Sequence, residues 1–159
     1  MSKIIFLDFD GVIRIPVPTG GPRIEAEFCP ERKKRVTQLA EETGAEIVIS
    51  SDWRERYPEW DAMVTLLEPH IPRAHLHRDW ATPLLEEVAD QNRIPKVIPR
   101  GAEIVSWLAD HADVKQFAIL DDMNSKFFPL MREQLVTCQL LDGFTEERFQ
   151  RARSILLAP

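Results

Sequence analysis

Ile5-Phe6-Leu7-Asp8-Phe9-Asp10-Gly11-Val12 is a short apolar run that ends in an acid, skips a residue to a second acid, and then meets a glycine. Residues 3–8 read as a buried strand, because four successive apolar side chains suit a strand covered on both faces. At a strand end, residues two apart point the same way, so Asp8 and Asp10 face one pocket while Gly11 lets the backbone turn sharply. Two crowded carboxylates repel unless a cation sits between them or one is protonated. A hard divalent ion such as Mg²⁺, which takes oxygen ligands, suits that pair. Taken alone, the pattern also fits an ordinary strand-end turn with solvated acids.

The same design recurs twice. Residues 45–49 form a second apolar strand ending in Ser50-Ser51, and residues 116–120 a third ending in Asp121-Asp122. Between them, residues 30–43 predict a helix, with Pro30 at its first position, Gly44 as its stop, and Val36, Leu39 and Ala40 on its inner face. Further helices are expected over 59–67, 83–91, 102–111 (Ile104, Val105 and Leu108 on one face) and 126–134, and short strands over 74–77 and 135–138. Asp142-Gly143 turns the chain. Thr145 then caps a last helix with Glu146 and Glu147 in its first turn and an apolar stripe of Phe149, Ala152, Ile155 and Leu156. Residues 9–29 look irregular, with Thr19-Gly20-Gly21-Pro22 as a turn. Alternating strands and helices predict an α/β fold: one Rossmann-like domain over residues 1–159, an open parallel sheet with helices on both faces. Sites in such sheets lie beyond the carboxyl ends of the strands, which here brings Asp8, Ser50 and Asp121-Asp122 to one edge.

With 159 residues, 44% apolar and 29% charged, the chain has the balance of a globular protein. The expected location is cytoplasmic, with no membrane partner. No apolar run approaches the roughly 20 residues of a bilayer span, and Asp8 cuts the N-terminal stretch too early for a signal core. Cys29 and Cys138 form no disulfide framework and read as free thiols. A net charge of −6 argues against coating nucleic acid non-specifically, though not against a local pocket that grips one phosphate. Arg100-Gly101 opens a helix, where a guanidinium opposes the dipole unless an anion is near.

In order, these features resemble the haloacid dehalogenase (HAD) superfamily of phosphohydrolases. Residues 5–12 match its first motif, Ile47-Val48-Ile49-Ser50 the second, Arg100 the basic third, and Phe117-Ala118-Ile119-Leu120-Asp121-Asp122 the fourth. Ile49-Ser50-Ser51-Asp52-Trp53-Arg54, the helix with Glu103, Ile104, Trp107 and Leu108, and Asp142-Gly143-Phe144-Thr145 are closer still to the small HAD domains of RNA-repair proteins. The resemblance implies a phosphoric monoester hydrolase using Mg²⁺. Asp8 is then the nucleophile that becomes phosphorylated, and Asp10 the general acid and base. Ser50 holds phosphoryl oxygens. Arg100, standing where the superfamily more often has Lys, neutralises charge. Metal ligands are Asp8, the carbonyl of Asp10, and Asp121, with Asp122 direct or through water. HAD dehalogenases lack the second acid, so Asp10 favours phosphate chemistry.

Residues 12–29 have room only for a flap and about 70–98 for a minor cap or insertion, so no large cap domain is expected. An open site of this kind goes with macromolecular substrates, or with a neighbouring subunit of a homo-oligomer as lid. A phosphorylated nucleic-acid end, above all a 3′-phosphate, leads; a small metabolite or nucleotide follows. Gly11, Ser51, Trp53 and Arg54 are the expected substrate contacts, Trp53 by stacking on a base and Arg54 by holding a second phosphate, with Arg14, Arg23, Asp52 and Arg56 as further ones. His75, His77 and Arg78 suggest a basic rim, Trp60, Trp80 and Trp107 core or half-buried positions, and Lys33-Lys34-Arg35 a solvated helix face. A non-catalytic binding or regulatory module on the same fold is the alternative from another class. It is disfavoured by the intact set Asp8, Asp10, Arg100 and Asp121. A phosphoryl receiver carries its paired acids in the reverse order, and a glycosyltransferase would need a longer chain.

Overall fold

A computed structural model describes residues 2–18, 24–85 and 99–159. Its centre is a five-stranded parallel sheet. The chain enters at β1 (Ser2–Leu7), which lies in the middle. It then builds one side with β4 (Glu46–Ile49) and β5 (Leu76–Ala81), and returns across β1 to build the other with β6 (Val114–Asp121) and β7 (Leu135–Thr137). The spatial order β5-β4-β1-β6-β7 reverses direction at β1. The reversal leaves a crevice at the carboxyl end of that strand, where Asp8 stands between the ends of β4 and β6.

The strands alternate between two cores. Ile5, Leu7, Ile47, Ile49, Ala118 and Leu120 face the helices α1 (Pro30–Thr43), α3 (Trp60–Leu67) and α5 (Glu146–Leu156). Ile4, Phe6, Val48 and Ile119 face α4 (Arg100–Ala109) together with Phe128, Met131 and Leu135. Burial on both faces is why these strands read as continuous apolar runs. The α1 bounds agree with expectation: Pro30 opens it, and Gly44, at φ 69°, closes it by donating to the carbonyl of Ala40.

Several expectations need correction. Residues 9–29, which look irregular in the sequence, contain an antiparallel hairpin of β2 (Arg14–Pro18) and β3 (Ile24–Phe28), tolerating Pro16 and Pro18 because it is a two-stranded ribbon made of edges. The turn at residues 19–22 and Arg23 lie outside the described residues, as does most of the helix expected over 83–91, whose first residues, 83–85, are irregular. The strand expected at 74–77 starts at Leu76 after a short 3-10 turn, Arg73–His75. The helix expected over 126–134 is only a 3-10 turn, Ser125–Phe127. Asn124 caps that turn through its side chain, and Pro129, with no N–H to give, prevents its extension. Val105 is 47% exposed, since Arg100, Gly101, Ile104 and Trp107 form the inner stripe of α4. Thr145 stands at the N-cap of α5 without a side-chain capping bond. Among the described residues no helix is long and apolar enough to cross a membrane.

Lys33 departs most from the sequence reading. It is buried, and its ammonium donates to the carbonyls of Leu66 (2.7 Å) and Leu67 (3.2 Å), which end α3. A cation there complements the helix dipole and ties α1 to α3. Burial pulls its pKa below the usual lysine value. Lys33→Met keeps the apolar stem but takes the ammonium donor from the Leu66 carbonyl and leaves the Leu67 carbonyl with the Ile71 N–H alone. It is expected to cost about 1–3 kcal/mol of unfolding free energy in urea titrations, against a negligible change for Lys34→Met on the exposed side.

Candidate active site

The carboxyl ends of three adjacent strands place the site. The Asp8 N–H donates to the Leu120 carbonyl and the Ser50 N–H to the Leu7 carbonyl, both at 2.9 Å, so β6 and β4 hold the residues that follow β1 in register. After Asp8 the chain folds tightly. The N–H groups of Val12, Ile13 and Arg14 all converge on the Phe9 carbonyl. Gly11 sits at φ 70°, and a Cβ there would lie 2.6 Å from the Asp122 side chain. Gly11 is therefore required both by the turn and by the close approach of Asp122.

Asp8 is 6% exposed and Asp121 fully buried. Burial, with the neighbouring Asp121 adding to it, pushes the Asp8 carboxyl up to about 8, against the pull of Arg100 and the Ser51 hydroxyl. Burial likewise pushes Asp121 up to about 6, although the Met123 N–H donates to its Oδ1 at 2.8 Å. Asp122 is raised too, chiefly by burial and then by Asp10. Carboxyl oxygens of Asp8, Asp121 and Asp122 all lie within 4.8 Å of one another. The Oδ2 of Asp121 is buried without a hydrogen-bond partner, and so is the Oγ of Ser50. Buried polar atoms are rarely left unpaired in a folded protein. An all-oxygen cluster with an orphaned carboxylate oxygen fits a hard divalent cation, and the orphaned hydroxyl fits an oxyanion beside it.

Arg100 arrives from the first turn of α4, 7% exposed. It donates to the Ser50 carbonyl (2.7 Å) and pairs with Asp52 (2.8 Å). Burial works against its charge, but Asp8, Asp52, Asp121 and Glu103 together raise its pKa. The helix-start arginine is thus answered by acids, as its misfit with the dipole suggested.

Asp10 points differently from the cluster. Its Oδ1 accepts from Arg14 at 2.6 Å and its Oδ2 from the Trp53 indole N–H at 2.9 Å. Its side chain therefore takes no place among the three clustered acids, leaving its carbonyl as the contact that the HAD resemblance implies for a metal.

Other expected substrate contacts fall elsewhere. Trp53 is not a free stacking platform: Arg14 and Arg56 lie over the ring at 5.1 and 5.3 Å, and Tyr57 stacks on it. Arg54 is buried, bonded to the carbonyls of Thr82 and Ser51 and to Glu103 at 2.7 Å, so it braces the loop after β4 instead of reaching for a second phosphate. His77 lies at the opposite end of the sheet, beside a cavity of about 570 Å³ lined by Lys3, Glu46, Arg78 and His111 among others, so the suggested basic rim does not border Asp8. Trp60 and Trp80 are half-buried and Trp107 is buried, as expected. Glu103 went unnoticed as a site residue. It holds Arg54 and lies 3.9 Å from Arg100, a pairing that its i,i+3 spacing from Arg100 could have signalled.

The family described as the HAD domain in Swiss Army Knife RNA repair proteins matches residues 4–149. The chain belongs to that family. The match spans every strand end that builds the site, from Asp8 to Asp121, and runs into α5. Membership carries with it hydrolase chemistry of the phosphatase type in general, for which the acidic cluster offers a metal position. No curated protein matches the chain.

Proposed function

We propose that this HAD domain is a Mg²⁺-dependent phosphomonoesterase that works through a phosphorylated Asp8 and acts on phosphorylated nucleic-acid ends, with 3′-phosphates preferred. The observation that carries the reading is the buried Asp8 carboxylate set between an unpartnered Ser50 hydroxyl and an unpartnered Asp121 oxygen, with Arg100 beside it. Mg²⁺ held by Asp8, Asp121, Asp122 and the Asp10 carbonyl would supply the positive charge that lets an anionic carboxylate meet an anionic phosphate. Asp8 attacks phosphorus; the bond to the leaving oxygen breaks, its electron pair stays on that oxygen, and the Asp10 carboxyl gives it a proton. Asp10 then takes a proton from the water that attacks phosphorus and releases Asp8. Ser50 donates to a phosphoryl oxygen, and Arg100 contributes charge where the transferring group becomes most anionic.

The substrate class rests on the RNA-repair description of the family and on the want of a separate cap core among the described residues. Among the described residues the segments that follow the strand ends, the β2–β3 hairpin and the short α2 among them, build no separate second core. A polymer end can enter such a crevice, and the protein's net charge of −6 leaves the grip to local groups. The test is Mg²⁺-dependent phosphate release compared across 3′-phosphorylated oligonucleotides, 5′-phosphorylated ones, mononucleotides and sugar phosphates. At least about a tenfold advantage in kcat/KM for the 3′-phosphorylated ends is expected, a modest 1.4 kcal/mol of differential transition-state binding. A preference for sugar phosphates or mononucleotides would remove the substrate assignment and leave the chemistry standing.

A further inference from the structure

Asp10 is less buried than Asp8, with its side chain 48% exposed, and yet it is firmly oriented. Both of its oxygens are held, and by different parts of the chain. Arg14, at the first residue of β2, donates to Oδ1, while the indole N–H of Trp53, at the first residue of α2 (Trp53–Arg56), donates to Oδ2. The two donors also hold each other, since the Arg14 guanidinium lies over the Trp53 ring at 5.1 Å. Trp53 in turn packs edge-on against Phe28 of β3 and beside Phe9. An exposed aspartate left alone would sample several rotamers. One that is gripped at both oxygens by groups anchored in the hairpin and in the loop after β4 keeps a single direction.

We propose that Arg14 and Trp53 are positioning residues for proton transfer: together they fix the direction in which the Asp10 carboxyl faces the leaving oxygen. Each carboxyl oxygen has two lone pairs, so the donors occupy one on each. The proton that Asp10 delivers sits on a remaining one, and the frame need not open for it. The position of the proton donor matters because misplacement by about 1 Å can cost on the order of a hundredfold. The hairpin thereby acquires a role in the chemistry: its root sets the acid's geometry. Sequence pattern alone assigns both residues to the substrate, and their polar contacts with Asp10 assign them to the acid.

The proposal rests on Asp10 acting as general acid, and the test separates the two claims. A proton donor matters most when the leaving group is a poor one, such as an alkoxide, and little when it is a stabilised phenolate. Hydrolysis of an alkyl phosphate and of 2,4-dinitrophenyl phosphate is compared for wild type, Trp53→Phe, Arg14→Gln and Asp10→Asn, with thermal midpoints recorded for each. Trp53→Phe keeps an aromatic ring at this position and removes the N–H donor together with part of the indole, a packing loss that acts on both esters alike. For both positioning variants, kcat on the alkyl ester is expected to fall at least about tenfold more than kcat on the activated ester. Equal losses on the two esters, no loss, or faster turnover would overturn the proposal, because a structural role does not sense the leaving group. If Trp53→Phe does not fold, Arg14→Gln carries the same comparison. Should Asp10→Asn itself fail to discriminate between the esters, the assignment of the acid falls first, and that failure is recognisable as distinct.

Discussion

Asp8→Asn is expected to lose phosphate release by about 10⁴-fold or more in kcat, and at the same time to make the metal-free protein more stable at pH 8. The loss follows from removing the nucleophile: an amide oxygen carries no negative charge to attack phosphorus. The gain follows from the cost of the native group. In the folded chain Asp8 is pushed up to about 8 by burial first and by Asp121 second. In the unfolded chain it would titrate near its ordinary value of 3.8. Between those values the folded state binds more protons than the unfolded one, so stability falls as pH rises from about 4 through about 8 and levels off above. Asp121, pushed up to about 6, adds a penalty of the same sign that is complete at lower pH. The uncharged amide in the Asp8→Asn variant removes the larger part, of the order of a few kcal/mol. Urea midpoints in EDTA should therefore decline from pH 5 to pH 8 for wild type and decline less for Asp8→Asn, where the Asp121 penalty remains. Mg²⁺ should restore much of the wild-type loss by binding the folded state alone.

Asp10→Asn is expected to slow phosphate release by about 10²–10⁴-fold, the usual span for losing a general acid and base, and not to abolish it. The nucleophile and the three clustered acids remain, and the Asp10 carbonyl is a main-chain group that the substitution keeps. Mg²⁺ should thus raise the thermal midpoint of this variant about as much as that of wild type. A rate on an alkyl phosphate equal to that of wild type would take the acid and base role from Asp10.

The site was readable because it is built from strand ends. Asp8, Ser50 and Asp121 each follow an apolar run buried on both faces, and such runs stand out in a sequence. Parallel packing of β4, β1 and β6 then brings their ends together without further information. Helix α1 was legible to its bounds because Pro30 and Gly44 punctuate it. Residues that depend on tertiary partners were misread. Lys33 looks like one of three surface cations until α3 presents two carbonyl groups to it. Trp53 and Arg54 look like substrate contacts until Asp10 and Glu103 claim them. The β2–β3 hairpin is hidden by its prolines, and the segment after Asp121 shows apolar spacing that Pro129 prevents from becoming a helix. In each case local pattern competed with a long-range contact, and the contact decided.

The most direct test is the rate at which the wild-type chain cleaves an aryl phosphomonoester before EDTA, after EDTA, and after Mg²⁺ is returned in excess. With Asp8 dependent on a cation shared with Asp121 and Asp122, the rate should fall by about 10²-fold or more under EDTA and recover with Mg²⁺. Turnover that continues undiminished in EDTA would contradict the role given to the buried carboxylates.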